Sequence, residues 1–143
     1  MKTRELTPQH LAEGVIPAIE AGGRFQLTVT GSSMAPTLHP GDAVLLEKAE
    51  KPKVGDILLF RRADGSYILH RCIAVSGGRL TMNGDAQSWT EQISPAQVCA
   101  VAAMLFRKGK WEKPGRLYGR VWPMTRRLRP VLLCARRPKA PLA

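Results

Sequence analysis

The chain reads as a mainly β protein: an antiparallel β domain with a short helix in front and a basic tail behind. Three observations carry that expectation. Five β-type apolar runs, Ala43–Glu47, Asp56–Arg62, Tyr67–Val75, Arg79–Met82 and Val98–Phe106, follow one another with no helical period between them. Turn signals fill gaps between them: Lys51-Pro52-Lys53, Ala63-Asp64-Gly65, Ser76-Gly77-Gly78 and Asn83-Gly84. The 143 residues, 44% of them apolar, suffice for one core and a short appendage and are too apolar for a disordered chain.

The elements follow in order. Thr7-Pro8 is an N-cap with proline at the first helical position. Leu11, Val15, Ile16 and Ile19 then mark one apolar helical face, with Pro17 expected to kink or split it and Gly22-Gly23 to stop it. Arg24–Thr30 alternates, with Phe25, Leu27 and Val29 on one side, and reads as a strand. A loop of turn formers, residues 31–42, leads into the five runs. Past Phe106 the pattern breaks: Pro114, Pro123, Pro130 and Pro138 punctuate a basic stretch. The divisions are therefore a helix over 1–23, a β core over 24–106 and a basic extension over 107–143.

Charge follows the same divisions. Residues 1–106 balance ten Lys/Arg against ten Asp/Glu, and the extension holds twelve Lys/Arg against Glu112, which is the whole net charge of +11. A neutral body with a cationic tail argues against a uniformly basic nucleic-acid module, so no nucleic-acid partner is expected. The longest apolar run has nine residues, Val98–Phe106, where about 20 are needed to cross a bilayer. The first fourteen residues lack the apolar centre of a signal peptide. Cys72, Cys99 and Cys134 form no CxxC pair, so reduced thiols in a cytoplasmic protein are expected, with no disulfide, metal or other cofactor.

Within the loop, Ser33 follows a strand and lies between Gly31 and Pro36. Such a turn can hold a hydroxyl proud of the backbone while aiming N–H groups at one point; it can equally be a surface loop whose serines cap turns. His70 and Arg71 interrupt an apolar strand, which suggests a shared reason for both, although a lone histidine there is commonly a satisfied core residue. Asp85, in the turn Asn83-Gly84-Asp85, is either a turn former or a carboxylate able to fix the tautomer of a histidine.

Taken together these pieces resemble a family. Gly31-Ser32-Ser33-Met34-Ala35-Pro36-Thr37-Leu38 with Gly41-Asp42 is similar to the first box of the S24/S26 serine peptidases, which include signal peptidases and the peptidase domains of LexA-type repressors. Val54-Gly55-Asp56-Ile57 with Phe60 resembles their next strand, His70-Arg71 their basic box and Asn83-Gly84-Asp85 their glycine–aspartate box. Histidine at position 70, where other members carry lysine, resembles the archaeal and endoplasmic-reticulum type.

The resemblance implies an antiparallel β peptidase domain and peptide-bond hydrolysis through an acyl-enzyme. It implies Ser33 as nucleophile and His70 as general base, with Asp85 as first choice for the orienting acid and Glu91 as the alternative. Ser32, Ser33 and Met34 are the implied oxyanion and substrate segment, the Ser33 N–H giving half of the oxyanion hole. Activity is expected to rise through about pH 6–7, as for an unperturbed histidine. His39, in the loop itself, is the rival base, and Cys72 a remote alternative nucleophile. The expected partner is a precursor or leader peptide, bound extended, with the tail in peripheral contact with an anionic membrane. Other readings are an inactive peptide- or polyanion-binding module and a self-cleaving repressor-like protein. Ala21-Gly22 resembles the bond such repressors cut, but reads better as the end of a helix.

Overall fold

The computed structural model describes residues 7–115. The fold is mainly antiparallel β with one short N-terminal helix, as the sequence predicts. The basic extension beyond residue 115, and Cys134 with it, lies outside the described residues.

Thr7 caps the helix, its hydroxyl accepting the His10 N–H at 3.2 Å. Pro8–His10, Leu11–Val15 and Ile16–Glu20 then follow without a break. Pro17 does not split the helix. The turn before it is instead widened to π geometry, with the Ile16 N–H reaching back to the Leu11 carbonyl. A proline has no N–H to give and its ring crowds the carbonyl four residues back; a widened turn accommodates both defects. The helix stops at Gly22, whose φ of 98° suits glycine, and the Gly23 N–H bonds the Ala18 carbonyl at 2.9 Å. Ala21-Gly22 is thus the C-terminus of this helix.

Eight strands follow among the described residues: β1 Phe25–Thr28, β2 Ala43–Glu47, β3 Ile57–Arg61, β4 Tyr67–Ser76, β5 Arg79–Asn83, β6 Glu91–Ile93, β7 Val98–Arg107 and β8 Lys110–Glu112. They form one sheet in the order β1-β2-β7-β3-β4-β5-β6, every pair antiparallel. Long β7 pairs β2 along one edge, and on the other edge β3 at its start and β8 at its end.

Three elements have no counterpart in the sequence expectations: β6, a 3-10 turn over Pro95–Gln97, and β8. The sheet also continues past Phe106, where the extension was expected to begin. Lys108 and Gly109, at φ 52° and 78°, make a two-residue turn that folds β8 back onto β7. Trp111 packs on Phe106 with ring centres 5.2 Å apart, and Arg107 pairs with Glu112.

Strand β3 is buried on both faces, and that explains its unbroken apolar run. Ile57 and Leu59 join the helix residues Leu11, Val15 and Ile19, together with Met34 and Leu38 of the loop. Leu58 and Phe60 face the other way, into Cys72, Leu80, Met82 and Ile93. The loop at 31–42 is therefore anchored by its own apolar side chains to the helix side of the core. Among the described residues no helix is long and apolar enough to cross a membrane.

Candidate active site

The loop is closed at its base, where the Val29 N–H bonds the Asp42 carbonyl at 2.7 Å and the Gly41 N–H bonds the Val29 carbonyl at 2.8 Å. Met34 and Leu38 are buried, and the Leu38 N–H donates to the Met34 carbonyl at 2.9 Å. Met34 is accordingly a core anchor. Its neighbour Ser33 stays half-buried, and Ser32 is exposed. The Ser33 carbonyl receives the Ala86 N–H at 2.9 Å, which ties the loop to the turn after β5. Gly84 permits that approach: a Cβ there would stand 2.7 Å from the Ser33 oxygen and 2.6 Å from Gln87 Oε1.

His70 lies in β4 opposite Leu58, edge-on to Phe60 at 6.1 Å between ring centres, and is only 3% exposed. Its Nε2 is 3.2 Å from Ser33 Oγ. Residues 37 apart in sequence are thus within hydrogen-bond distance. On the far side of the ring, Glu91 Oε1 stands 3.8 Å from Nδ1, too long for a hydrogen bond but close enough for attraction. A carboxylate on that side favours the tautomer with hydrogen on Nδ1, and this leaves the Nε2 lone pair for the serine hydroxyl.

Asp85, the first choice for that carboxylate, is placed elsewhere. Arg71 grips it with a fork, Nε to Oδ1 and Nη2 to Oδ2, both at 2.8 Å. The Thr37 hydroxyl adds a third bond at 2.5 Å, and Arg71 Nη1 donates to the Gly55 carbonyl at 2.9 Å. Arg71 and Asp85 are 1% and 0% exposed. The network joins the loop, the segment before β3, β4 and the turn after β5. Asp85 is positioned to brace the loop rather than the imidazole.

The carboxylate facing His70 has its own arginine, a residue with no part in the motifs. Arg62 donates Nε to Glu91 Oε2 at 3.0 Å and Nη2 to Oε1 at 2.7 Å. A basic residue closing an apolar strand before a turn looks like any solvated strand end, so no signal marked it. Burial pushes the His70 pKa down to about 4; Glu91 opposes that shift, Arg62 reinforces it and Asp85 opposes it. The imidazole is therefore neutral well below the pH 6–7 at which an unperturbed ring would lose its proton.

The rival groups are placed apart from this chemistry. His39 is exposed and lies beside Asp42, whose Oδ2 accepts the His39 backbone N–H at 2.8 Å. Cys72 is a core thiol that burial pushes up to about 11, and burial raises Cys99 as well. Among the described residues no cluster of three or more His, Cys, Asp or Glu is arranged to hold a metal.

The family model described as signal peptidase, peptidase S26 matches residues 18–103, more than half of the chain and all of the groups just described. No curated protein matches the chain.

Proposed function

The chain belongs to the signal peptidase S26 family, and from that premise we propose that it is a serine endopeptidase cleaving a precursor or leader peptide, with Ser33 as nucleophile, His70 as general base and Glu91 as the carboxylate that orients the ring. The observation that carries this reading is the 3.2 Å separation of Ser33 Oγ and His70 Nε2. Neutral Nε2 accepts the hydroxyl proton as Oγ bonds to the scissile carbonyl carbon. The imidazolium then returns that proton to the leaving amine as the C–N bond breaks, and a water molecule deprotonated by the same nitrogen releases the acyl group. The Ser33 backbone N–H donates to the oxyanion, and the Met34 anchor keeps it aimed. Glu91 stabilises the imidazolium while it exists.

The test is incubation of the purified full chain with precursor peptides encoded beside its gene, together with labelling by a fluorophosphonate, which reacts with activated serines. Cleavage and labelling are expected to depend on Ser33, to fall about a thousandfold or more in His70→Ala, and to persist in His39→Ala. The acid limb of labelling is expected near pH 4 to 5, not 6 to 7. An unlabelled wild-type protein that binds peptide without cutting it would replace this reading with that of an inactive binding module.

A further inference from the structure

Glu91 Oε1 is one acceptor between two donors. The Arg62 Nη2 donor is 2.7 Å from it, and the imidazole Nδ1 is 3.8 Å away. We infer that Arg62 is a positioning residue: its fork holds Glu91 short of a hydrogen bond to His70 and so sets the pH range in which the Ser33–His70 pair is reactive. The inference rests on the Ser–His reading of the site and extends it to how the base is tuned.

Both ends of the fork are held by backbone. Arg62 follows β3 at the start of a tight hairpin, where its N–H bonds the Ser66 carbonyl at 2.8 Å and its carbonyl accepts the Gly65 N–H at 2.9 Å. Asp64 locks the same turn by accepting the Ser66 N–H and hydroxyl at 2.9 and 2.6 Å. Glu91 is fixed by the pairing of β6 with β5, where it stands opposite Met82. Neither side chain leaves from a free loop, so the fork itself, Nε to Oε2 and Nη2 to Oε1, decides how far the carboxylate stands from the imidazole.

Among the described residues, the charges that act on the ring come from both faces of the sheet, Asp85 being the weakest of them. Glu91 approaches from β6, Arg62 from the β3–β4 turn and Asp85 from the segment after β5, the last neutralised by Arg71 on β4. The loop contributes the uncharged Ser33 hydroxyl. A carboxylate in full contact with Nδ1 would hold a proton on the buried ring to higher pH and withhold the base from Ser33. Arg62 draws part of that charge away. Glu91 is left near enough to stabilise the imidazolium formed in the reaction, and too far to form it beforehand.

The test compares Arg62→Gln, Arg62→Lys and the double variant Arg62→Gln/Glu91→Gln, each checked for native circular dichroism. Two titrations are recorded: fluorophosphonate labelling of Ser33 against pH, and the His70 ring resonances by NMR. Arg62→Gln is expected to move both midpoints up by about one pH unit, a tenfold change in the protonated-to-neutral ratio. Arg62→Lys, which keeps the charge but loses the fork, moves them less in the same direction. The double variant falls at or below the wild-type midpoint, because the group that Arg62 restrains is gone. A midpoint unmoved in Arg62→Gln, or a shift that persists in the double variant, overturns the role of Arg62. The ring titration is readable in a protein that cleaves nothing. Failure of the wild type to label therefore counts against the peptidase reading, and a static ring titration counts against Arg62.

Discussion

Strand β4 places His70 and Arg71 side by side in sequence and on opposite faces of the sheet, opposite Leu58 and Ile57 respectively. Each face carries an arginine–carboxylate pair, and the two pairs are built differently. Arg71 and Asp85 form a closed unit, almost fully buried, whose fork is supplemented by Thr37 and Gly55. Arg62 and Glu91 form an open one, with side chains 16% and 26% exposed and one oxygen turned toward an imidazole at 3.8 Å. A saturated buried pair has no capacity left for proton chemistry, and its strength lies in holding four segments together. The slack pair leaves one carboxylate oxygen within attraction distance of a ring that can take up a proton. Under the proposed mechanism, the difference separates bracing from chemistry within two adjacent residues.

The largest effect expected from this contrast is on the closed side. Arg71→Met or Asp85→Leu alone leaves an uncompensated charge in the core, and each is expected to lower unfolding stability by about 3–5 kcal/mol in denaturant titration. The double variant Arg71→Met/Asp85→Leu removes both charges and is expected to recover most of that loss. Single variants costing less than about 1 kcal/mol would abolish the distinction between the two pairs.

Burial of His70 gives the next effect. The unfolded ring takes up a proton below about pH 6.5, whereas the native ring does so only near 4. Between those values the unfolded chain binds more protons, so stability is complete above the unfolded pKa and declines as pH falls toward the native one. The loss at the lower end is about 3 kcal/mol, from the 1.36 kcal/mol carried by each pKa unit. Thermal or urea unfolding of wild type against His70→Leu across pH 4–7 isolates it: the variant lacks that portion of the slope. Parallel curves would mean that the ring is hydrated in the native state.

How much of this was legible follows from the same residues. The five apolar runs became β2, β3, β4, β5 and β7, with Ala43–Glu47 matched to the residue, because burial writes itself into composition over five or more positions. Strands β6 and β8 have three residues each, too few for alternation to register; β8 is also polar and stands only by pairing with the end of β7. The nearness of Ser33 and His70 could be expected from the boxes that carry them. Which acid meets the ring could not. Asp85 and Glu91 both follow β5, six residues apart, and the choice depends on β6 doubling back to set Glu91 opposite Met82. The shared reason sought for His70 and Arg71 is likewise absent, since each polar residue serves its own face. The expected pH of 6–7 takes the ring as unperturbed, whereas burial pushes its pKa down to about 4; desolvation belongs to the packed site, and no motif displays it.

The smallest expected effect tests the open side directly. An ion pair that retains contact with water gains little net free energy, because solvent screens the attraction and two long side chains must be held still. Arg62→Gln and Glu91→Gln are accordingly expected to change unfolding stability at neutral pH by about 1 kcal/mol or less, against about 3–5 for the buried pair. The comparison is sharpest when one set of samples is measured both for stability and for fluorophosphonate labelling. In the open pair the labelling profile should move while the unfolding midpoint hardly does; in the closed pair the unfolding midpoint should lead. A stability loss at Arg62 as large as that at Arg71 would make both pairs structural braces, and the 3.8 Å gap at His70 would then reflect packing rather than the tuning of a base.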